Sequence, residues 1–161
     1  MTLSESTRAA IEKLVATYPQ PRTALLPALK LAQADVGWLS PAAIAEAADV
    51  VGVPHSAAYE LAAFYTMLHT RPVAATQMVV CAQLPCALRG ADQLVRDLEA
   101  GLEAQIAAGT VEVERTSECF GACHRAPMAR VNGEYRENLD ATRRQQLMDE
   151  LRSSGTNGRA H

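Results

Sequence analysis

At 161 residues, the chain has the length of one ordinary domain, or of one domain with a helical extension. A chain of this length buries roughly 70% of its unfolded surface, so it needs no disulfide or metal merely to hold a core. It is 48% hydrophobic and 20% charged with a formal net charge of −3, which excludes the basic footprint of a nucleic-acid-binding protein.

The sequence also predicts where the chain works in the cell. The first twenty residues have early acidic residues and no apolar h-region, so they predict no secretory signal. No stretch approaches the roughly 20 uninterrupted apolar residues of a membrane span. We therefore expect a cytoplasmic protein, in which stable disulfides are rare.

The first 70 residues predict a bundle of helices with clear boundaries. Residues 4–17 and 22–36 carry apolar side chains at helical spacing, the first behind Ser4 and Ser6 as candidate caps. A third helix is predicted from Ser40 and Pro41, and "SAAYELAAFYTML" predicts a fourth that ends near Phe64. Glycines close the second and third helices, and the aromatic side chains of this part are expected in its core: Trp38, Tyr59, Phe64 and Tyr65.

From Arg71 the pattern changes to the order β–α–β–β–β–α. "TQMVVCA" and "TVEVER" predict strands on either side of a long helix over 90–108. "PMARV" and "YREN" flank "NGE", a turn that favours a tight hairpin. A last helix is predicted over 140–152. The predicted organisation is α+β: a helical bundle over 1–70, a small α/β sandwich over 71–152 and a flexible tail over 153–161.

The four cysteines are the candidate site residues. They form a C-x4-C pair and a C-x3-C pair, with thirty-two residues between the two pairs. Cys81 and Cys86 follow the first predicted strand, and Cys119 and Cys123 follow the second. Two loops at one end of a sheet can bring four thiolates to one site, and a two-iron, two-sulfide cluster takes four thiolates. A structural zinc site, two disulfides and a reactive dithiol remain as alternatives. The spacing and the expected compartment favour the cluster over each of them.

Neighbours of the two pairs are candidates for tuning such a cluster. Its charge of −2, or −3 when reduced, requires backbone N–H groups or cations nearby. Gly90 and Gly121 permit close approach of the backbone, and Arg89 and Arg125 supply positive charge. His124 is expected to face solvent or to lie beside the ligands rather than to bind iron. Four apolar side chains are expected to cover the site: Leu84, Leu88, Phe120 and Met128.

No dinucleotide, flavin or phosphate motif is present, so an electron carrier of this kind must receive its electrons from another polypeptide. "CAQLPCALRGAD", "ECFGACHRAPMARVNGEYRENL" and the helical stretch before them resemble the thioredoxin-like two-iron ferredoxin subunit (the E subunit, 24 kDa type) of complex I, respiratory NADH:quinone oxidoreductase. The resemblance runs from about Tyr18 to Leu151. "VNGEYRENL" is similar to the complex I type rather than to subunits of NAD-linked formate dehydrogenases or bidirectional hydrogenases.

The resemblance implies a thioredoxin-like ferredoxin domain behind a helical bundle. It implies one [2Fe–2S] cluster, with Cys81 and Cys86 on one iron and Cys119 and Cys123 on the other. It further implies an electron-transfer subunit that is inactive alone. The subunit would pack against a flavin-bearing partner that binds FMN and NADH, among further iron–sulfur subunits, at the cytoplasmic face of the inner membrane. There the cluster would store one electron of the hydride or support the flavin subunit.

Overall fold

A computed structural model describes residues 2–154, which divide into two compact units with the boundary between Val73 and Ala74. The boundary predicted from the sequence lies three residues earlier. Of the predicted tail, Ser153 and Ser154 belong instead to the last helix, and residues 155–161 lie outside the described part of the chain.

The first unit is helical, as predicted. A 3₁₀ turn over Pro21–Ala24 precedes its second helix, which therefore begins three residues later than expected. The buried side chains are mostly Ala, Leu, Ile and Val from all four helices, so the unit has its own apolar core. The helices are α1 Glu5–Val15, α2 Leu25–Val36, α3 Pro41–Val51 and α4 His55–Phe64.

Local capping fixes the ends of these helices. The Ser4 hydroxyl accepts a hydrogen bond from the Thr7 N–H at 3.2 Å, whereas Ser6 lies inside α1 and is not its cap. Ser40 caps α3 in the same way, with Pro41 at its first position, and Gly52 ends it in a left-handed conformation (φ 79°). These two caps and the terminal glycine confirm the predicted signals.

The expectation that the aromatic side chains of this unit lie in its core is wrong for two of them. Tyr59 is 53% exposed and Phe64 is 78% exposed. The fully buried stripe of α4 consists of Ala58 and Ala62, one helical turn apart, and Tyr59 and Phe64 lie outside this stripe. Trp38 and Tyr65 are half-buried.

The second unit is a four-stranded sheet with helices, which confirms the predicted α+β class. The strand order is β2-β1-β3-β4, with β1 and β2 parallel and the other pairs antiparallel. Its elements are β1 Thr76–Cys81, α5 Leu84–Leu88, α6 Ala91–Gly101, α7 Glu103–Ala107, β2 Val111–Thr116, β3 Ala129–Val131, β4 Glu134–Arg136 and α8 Ala141–Ser154.

One face of this sheet forms the core of the unit. Met78 and Val80 of β1 are fully buried and belong to one cluster with the apolar side chains of α6 and α8. Because side chains alternate along a strand, Val79 lies on the opposite face, whereas Cys81 at the end of β1 is buried in the same cluster as Met78 and Val80. The side chains that the helices contribute are Leu94, Leu98, Leu147, Met148 and Leu151.

The predicted hairpin is present, and the predicted long helix is not continuous. Asn132 and Gly133 have φ of 50° and 88°, the positive values that a type I′ turn requires, and they join β3 to β4. The helix expected over 90–108 is interrupted at Leu102 (φ −115°, ψ 18°), which separates α6 from α7. A further short helix, α5, forms inside the first cysteine loop.

None of the helices within residues 2–154 combines the length and the apolar character that crossing a membrane requires.

Candidate metal centre

The two parallel strands bring both cysteine pairs to one edge of the sheet. Cys81 is the last residue of β1 and is aligned with Thr116, the last residue of β2. Cys119 follows three residues after β2. Because parallel strands end at the same edge, the loops that carry the two pairs leave the sheet side by side, as predicted.

The first pair is buried. Cys81 ends β1, Cys86 lies on α5, and each is 1% exposed. Burial is the main cause that raises the pKa of Cys86 to about 12, and the neighbouring Cys81 thiol and the charges of the other three cysteines raise it further. An isolated thiolate is therefore strongly disfavoured at this position.

The second pair is exposed to solvent. The Sγ atoms of Cys119 and Cys123 are 3.9 Å apart, and the Gly121 N–H donates to Cys119 Sγ at 3.3 Å. The pKa of Cys123 is raised, first by its hydrogen bond with Cys119 and then by desolvation. Gly121 has φ of 76°, a left-handed conformation that suits glycine and turns the backbone towards the sulfur.

Hydrogen bonds join the two loops directly. The Ala82 N–H donates to the Thr116 carbonyl at 2.8 Å, which continues the β1–β2 pairing beyond Cys81. The side-chain amide of Gln83 donates to the Ser117 carbonyl. The backbone on either side of each pair is thus held by the other loop, and the spacing between the pairs does not depend on the cysteines alone.

This donor set fits an iron–sulfur cluster. All four thiols are free, and 3.9 Å between Cys119 and Cys123 is far longer than the roughly 2.05 Å of a disulfide. Cys119 and Cys123 are in contact, the neighbouring Cys81 thiol acts on Cys86, and a [2Fe–2S] cluster takes two protein ligands on each iron.

The predicted neighbours take different positions around the pairs. Arg89 caps the C-terminus of α5, where its N–H donates to the Cys86 carbonyl at 3.1 Å, and Gly90 begins α6 with φ of 93°. Arg125 forms an ion pair with Glu137, which offsets its charge. His124 is exposed, as expected, and its Nε2 accepts a hydrogen bond from Arg125 Nε at 3.1 Å.

The expected apolar cover is only partly present. Met128 is 1% exposed and Phe120 is half-buried. Leu84 and Leu88, however, are 67% and 78% exposed. Both belong to α5, whose five residues turn Cys86 inwards and direct these two leucines into solvent. The expectation that they shield the site is therefore wrong for this chain.

Sequence reasoning missed two residues that contact the second loop. Arg130 places its guanidinium carbon 4.3 Å from the centre of the Phe120 ring. The Tyr135 hydroxyl donates to the Phe120 carbonyl at 2.8 Å. Both lie on the predicted hairpin, and no local pattern connects them with a loop ten or more residues earlier.

Comparison with known protein families identifies the family of this chain. The family model described as "Thioredoxin-like [2Fe-2S] ferredoxin" matches residues 11–152, which is most of the chain and includes all four cysteines. The chain belongs to this family. Its members are iron–sulfur ferredoxins by description, which agrees with the donor set above.

Two similar proteins are named as parts of an NADH-quinone oxidoreductase and of an NADH dehydrogenase. The E 2 subunit of the NADH-quinone oxidoreductase of Rhizobium meliloti (strain 1021) is 37% identical over 91% of this chain and 89% of the relative. NADH dehydrogenase [ubiquinone] flavoprotein 2, mitochondrial, of Dictyostelium discoideum is 33% identical over 89% of this chain and 61% of the relative.

A solved structure shows the same fold inside a longer chain. The NAD+-reducing [NiFe]-hydrogenase in its H2-reduced state matches with a TM-score of 0.70 and 28% identity. The match covers 80% of this chain and 22% of the hydrogenase chain. This ferredoxin fold therefore occurs both as a separate subunit and as part of a larger polypeptide.

Proposed function

We propose that this ferredoxin is the electron-transfer subunit of an NADH:quinone oxidoreductase, with one [2Fe–2S] cluster on Cys81, Cys86, Cys119 and Cys123. One observation carries the proposal. Two thiol pairs leave the carboxyl ends of neighbouring parallel strands, in a chain that is 37% identical to the E 2 subunit of an NADH-quinone oxidoreductase. The cluster would accept and return one electron at a time.

We assign each close pair of cysteines to one iron. Cys81 and Cys86 would hold the iron on the buried side, and Cys119 and Cys123 the iron towards solvent. The contact between Cys119 and Cys123, and the effect of the neighbouring Cys81 thiol on the pKa of Cys86, support this division. Iron would also compensate the thiolate charge that burial makes unfavourable at Cys86.

The partner would be a flavin-bearing subunit that binds FMN and NADH, within an assembly of further iron–sulfur subunits on the cytoplasmic face of the inner membrane. The names of the relatives, which are subunits of NADH dehydrogenases, support this placement. The chain alone would have no NADH-oxidising activity, because neither nicotinamide nor flavin would bind to it.

The equivalent subunit of an NAD-linked hydrogenase or formate dehydrogenase is the second candidate. The likeness to the NAD+-reducing [NiFe]-hydrogenase supports it. The higher identity and longer coverage of the quinone-reductase relatives favour the first candidate.

The cluster is tested by anaerobic visible absorption and low-temperature EPR before and after dithionite, with iron and zinc analysis of the same sample. We expect about two irons per chain, bands that bleach and an S = 1/2 signal on reduction, since one added electron leaves one unpaired spin. Cys86→Ser should abolish these signals, whereas His124→Ala, a change beside Cys123 that removes no proposed ligand, should retain them. A colourless, EPR-silent chain with one zinc would contradict the cluster.

The assembly is tested separately, by purifying the chain with an affinity tag from membranes of its native host. Co-purification of a flavoprotein with NADH:quinone reductase activity is expected. Co-purification of hydrogen- or formate-dependent NAD+ reduction would replace the first candidate with the second and leave the cluster assignment intact.

A further inference from the structure

The peptide group between Phe120 and Gly121 is bound at both ends. Its N–H donates to Cys119 Sγ at 3.3 Å, and its carbonyl accepts a hydrogen bond from the Tyr135 hydroxyl at 2.8 Å. The N–H and C=O of a trans peptide are rigidly coplanar and point in opposite directions. A group that fixes the carbonyl therefore also fixes the direction of the N–H at the sulfur.

The hairpin places Tyr135 for this contact. Tyr135 of β4 is directly opposite Arg130 of β3, on one face of the sheet. The Tyr135 ring stacks on the Phe120 ring with centroids 6.1 Å apart and an angle of 23°, and Arg130 lies over the same Phe120 ring. Phe120 thus contacts two side chains of the hairpin, which hold its peptide group in place.

We propose that Tyr135 is a positioning residue that raises the reduction potential of the cluster by holding the Gly121 N–H on Cys119 Sγ. The inference rests on the proposed function, because it takes Cys119 as a ligand. Tyr135 itself touches neither the sulfur nor iron. It acts through one peptide group.

The direction of the effect follows from charge. Reduction adds one electron and forms or breaks no covalent bond, so the cluster with its thiolates becomes more negative. An N–H donor at a ligand sulfur stabilises the more negative form more strongly, and hydrogen bonds to the sulfurs are among the factors that set the potential of such clusters. A hydroxyl on the carbonyl polarises the peptide and strengthens donation by its N–H. Loss of the hydroxyl should therefore lower the potential.

The test is Tyr135→Phe in the full chain, measured by an EPR-monitored redox titration with dithionite and mediators. The ring and its stacking on Phe120 remain, and only the hydroxyl is lost. At a fixed solution potential we expect the ratio of reduced to oxidised cluster to fall about fivefold, the size of one intramolecular hydrogen bond. This corresponds to roughly 40 mV, since tenfold is 59 mV for a one-electron couple.

Tyr59→Phe is the matched control, because Tyr59 is 53% exposed and Tyr135 is 48% exposed. This control should keep the wild-type potential. An unchanged potential in Tyr135→Phe, with two irons bound, would overturn the inference and leave the proposed function standing. A wild-type chain that holds no cluster would instead overturn the proposed function.

A second measurement is independent of whether the variant assembles. In wild-type protein labelled with ¹⁵N-glycine, pulsed EPR of the reduced cluster should detect a glycine nitrogen coupled to the electron spin, as the Gly121 N–H···Sγ bond requires. If Tyr135→Phe fails to hold two irons, this measurement still tests the N–H donor on which the role of Tyr135 depends. Absence of any glycine coupling in the wild type would refute the N–H donor and with it the role of Tyr135.

Discussion

At the scale of single residues, one carboxylate ties the start of the first helix to the end of the second. Asp35 Oδ2 accepts a hydrogen bond from the Ser4 N–H at 2.7 Å, while the Ser4 hydroxyl caps α1. The Ser4 N–H lowers the pKa of Asp35 below its ordinary 3.8, against a smaller opposing effect of desolvation. Because the folded pKa is the lower one, this stabilisation is complete above the unfolded pKa and is lost as pH falls through the folded pKa.

We therefore expect Asp35→Asn to lower the urea midpoint at pH 7 and to match the wild type near pH 2. The measurement is urea unfolding followed by far-UV circular dichroism at both pH values. Glu60→Gln, which changes another exposed carboxylate of the same unit, is the control and should leave the midpoint unchanged at pH 7. A deficit of Asp35→Asn that is equally large at both pH values would contradict an effect of the ionised carboxylate.

At the scale of elements, a side chain of α8 pairs the carbonyl at the end of α6. The Arg152 guanidinium of α8 donates two hydrogen bonds to the Gly101 carbonyl, at 2.7 and 3.1 Å. This pairs a carbonyl at the helix end, where the last turn leaves acceptors open. Gly101 also lies against Met148, so closely that a Cβ at this position would overlap the Met148 sulfur. The Met148 side chain of α8 thus occupies the space that a side chain at position 101 would need.

Gly101→Ala should consequently destabilise the chain, although alanine favours a helix over glycine by about 1 kcal/mol. Overlap with the buried Met148 side chain should cost about 1–3 kcal/mol, as overpacking of a core does. This destabilisation is measured as the difference in the free energy of unfolding in urea between Gly101→Ala and the wild type. In a double-mutant cycle, Met148→Ala should remove most of the penalty, because the overlapping sulfur is gone. A stabilised Gly101→Ala single variant would contradict the close contact.

These elements also show what the sequence could predict. Ser40, Pro41 and Gly52 act on backbone groups within a few residues, and Asn132 and Gly133 form their own turn, so each was visible locally. The end of α6 contacts Arg152, 51 residues from Gly101 in sequence, and the spacing of four between leucines gave no sign of this contact. Features that depend on residues close in sequence could be predicted, and a contact between residues far apart in sequence could not.

The candidate metal centre also has features that the sequence could predict and features that it could not. The cysteine spacing and the predicted strands were enough to place both thiol pairs at one sheet edge. The exposure of Leu84 and Leu88 could not be read in the same way, because a five-residue helix within a loop has no periodicity to detect. Tyr135 was equally invisible, since its contact with Phe120 exists only once the hairpin has folded beside the loop.

At the scale of the whole molecule, each unit has an apolar core that is built mainly from residues other than cysteine. The first unit buries side chains from four helices, and the second buries one face of its sheet against α6 and α8. Cys81 and Cys86 are part of the second core, but most of its members are Leu, Met, Val and Ala. Small metal-dependent domains lack such a core and unfold without their metal.

Removal of the cluster should therefore loosen the second unit without unfolding the chain. After anaerobic chelation of iron under reducing conditions, we expect an unchanged helical far-UV signal at 25 °C. The thermal midpoint should fall by roughly 10 °C or more, because a ligand that binds only the folded state stabilises it and each 1 kcal/mol shifts such a domain by about 4–8 °C. Cys86→Ser, which cannot hold the complete cluster, should resemble the chelated protein. Loss of most of the helical signal on chelation would mean that iron, rather than the apolar cores, supports the fold.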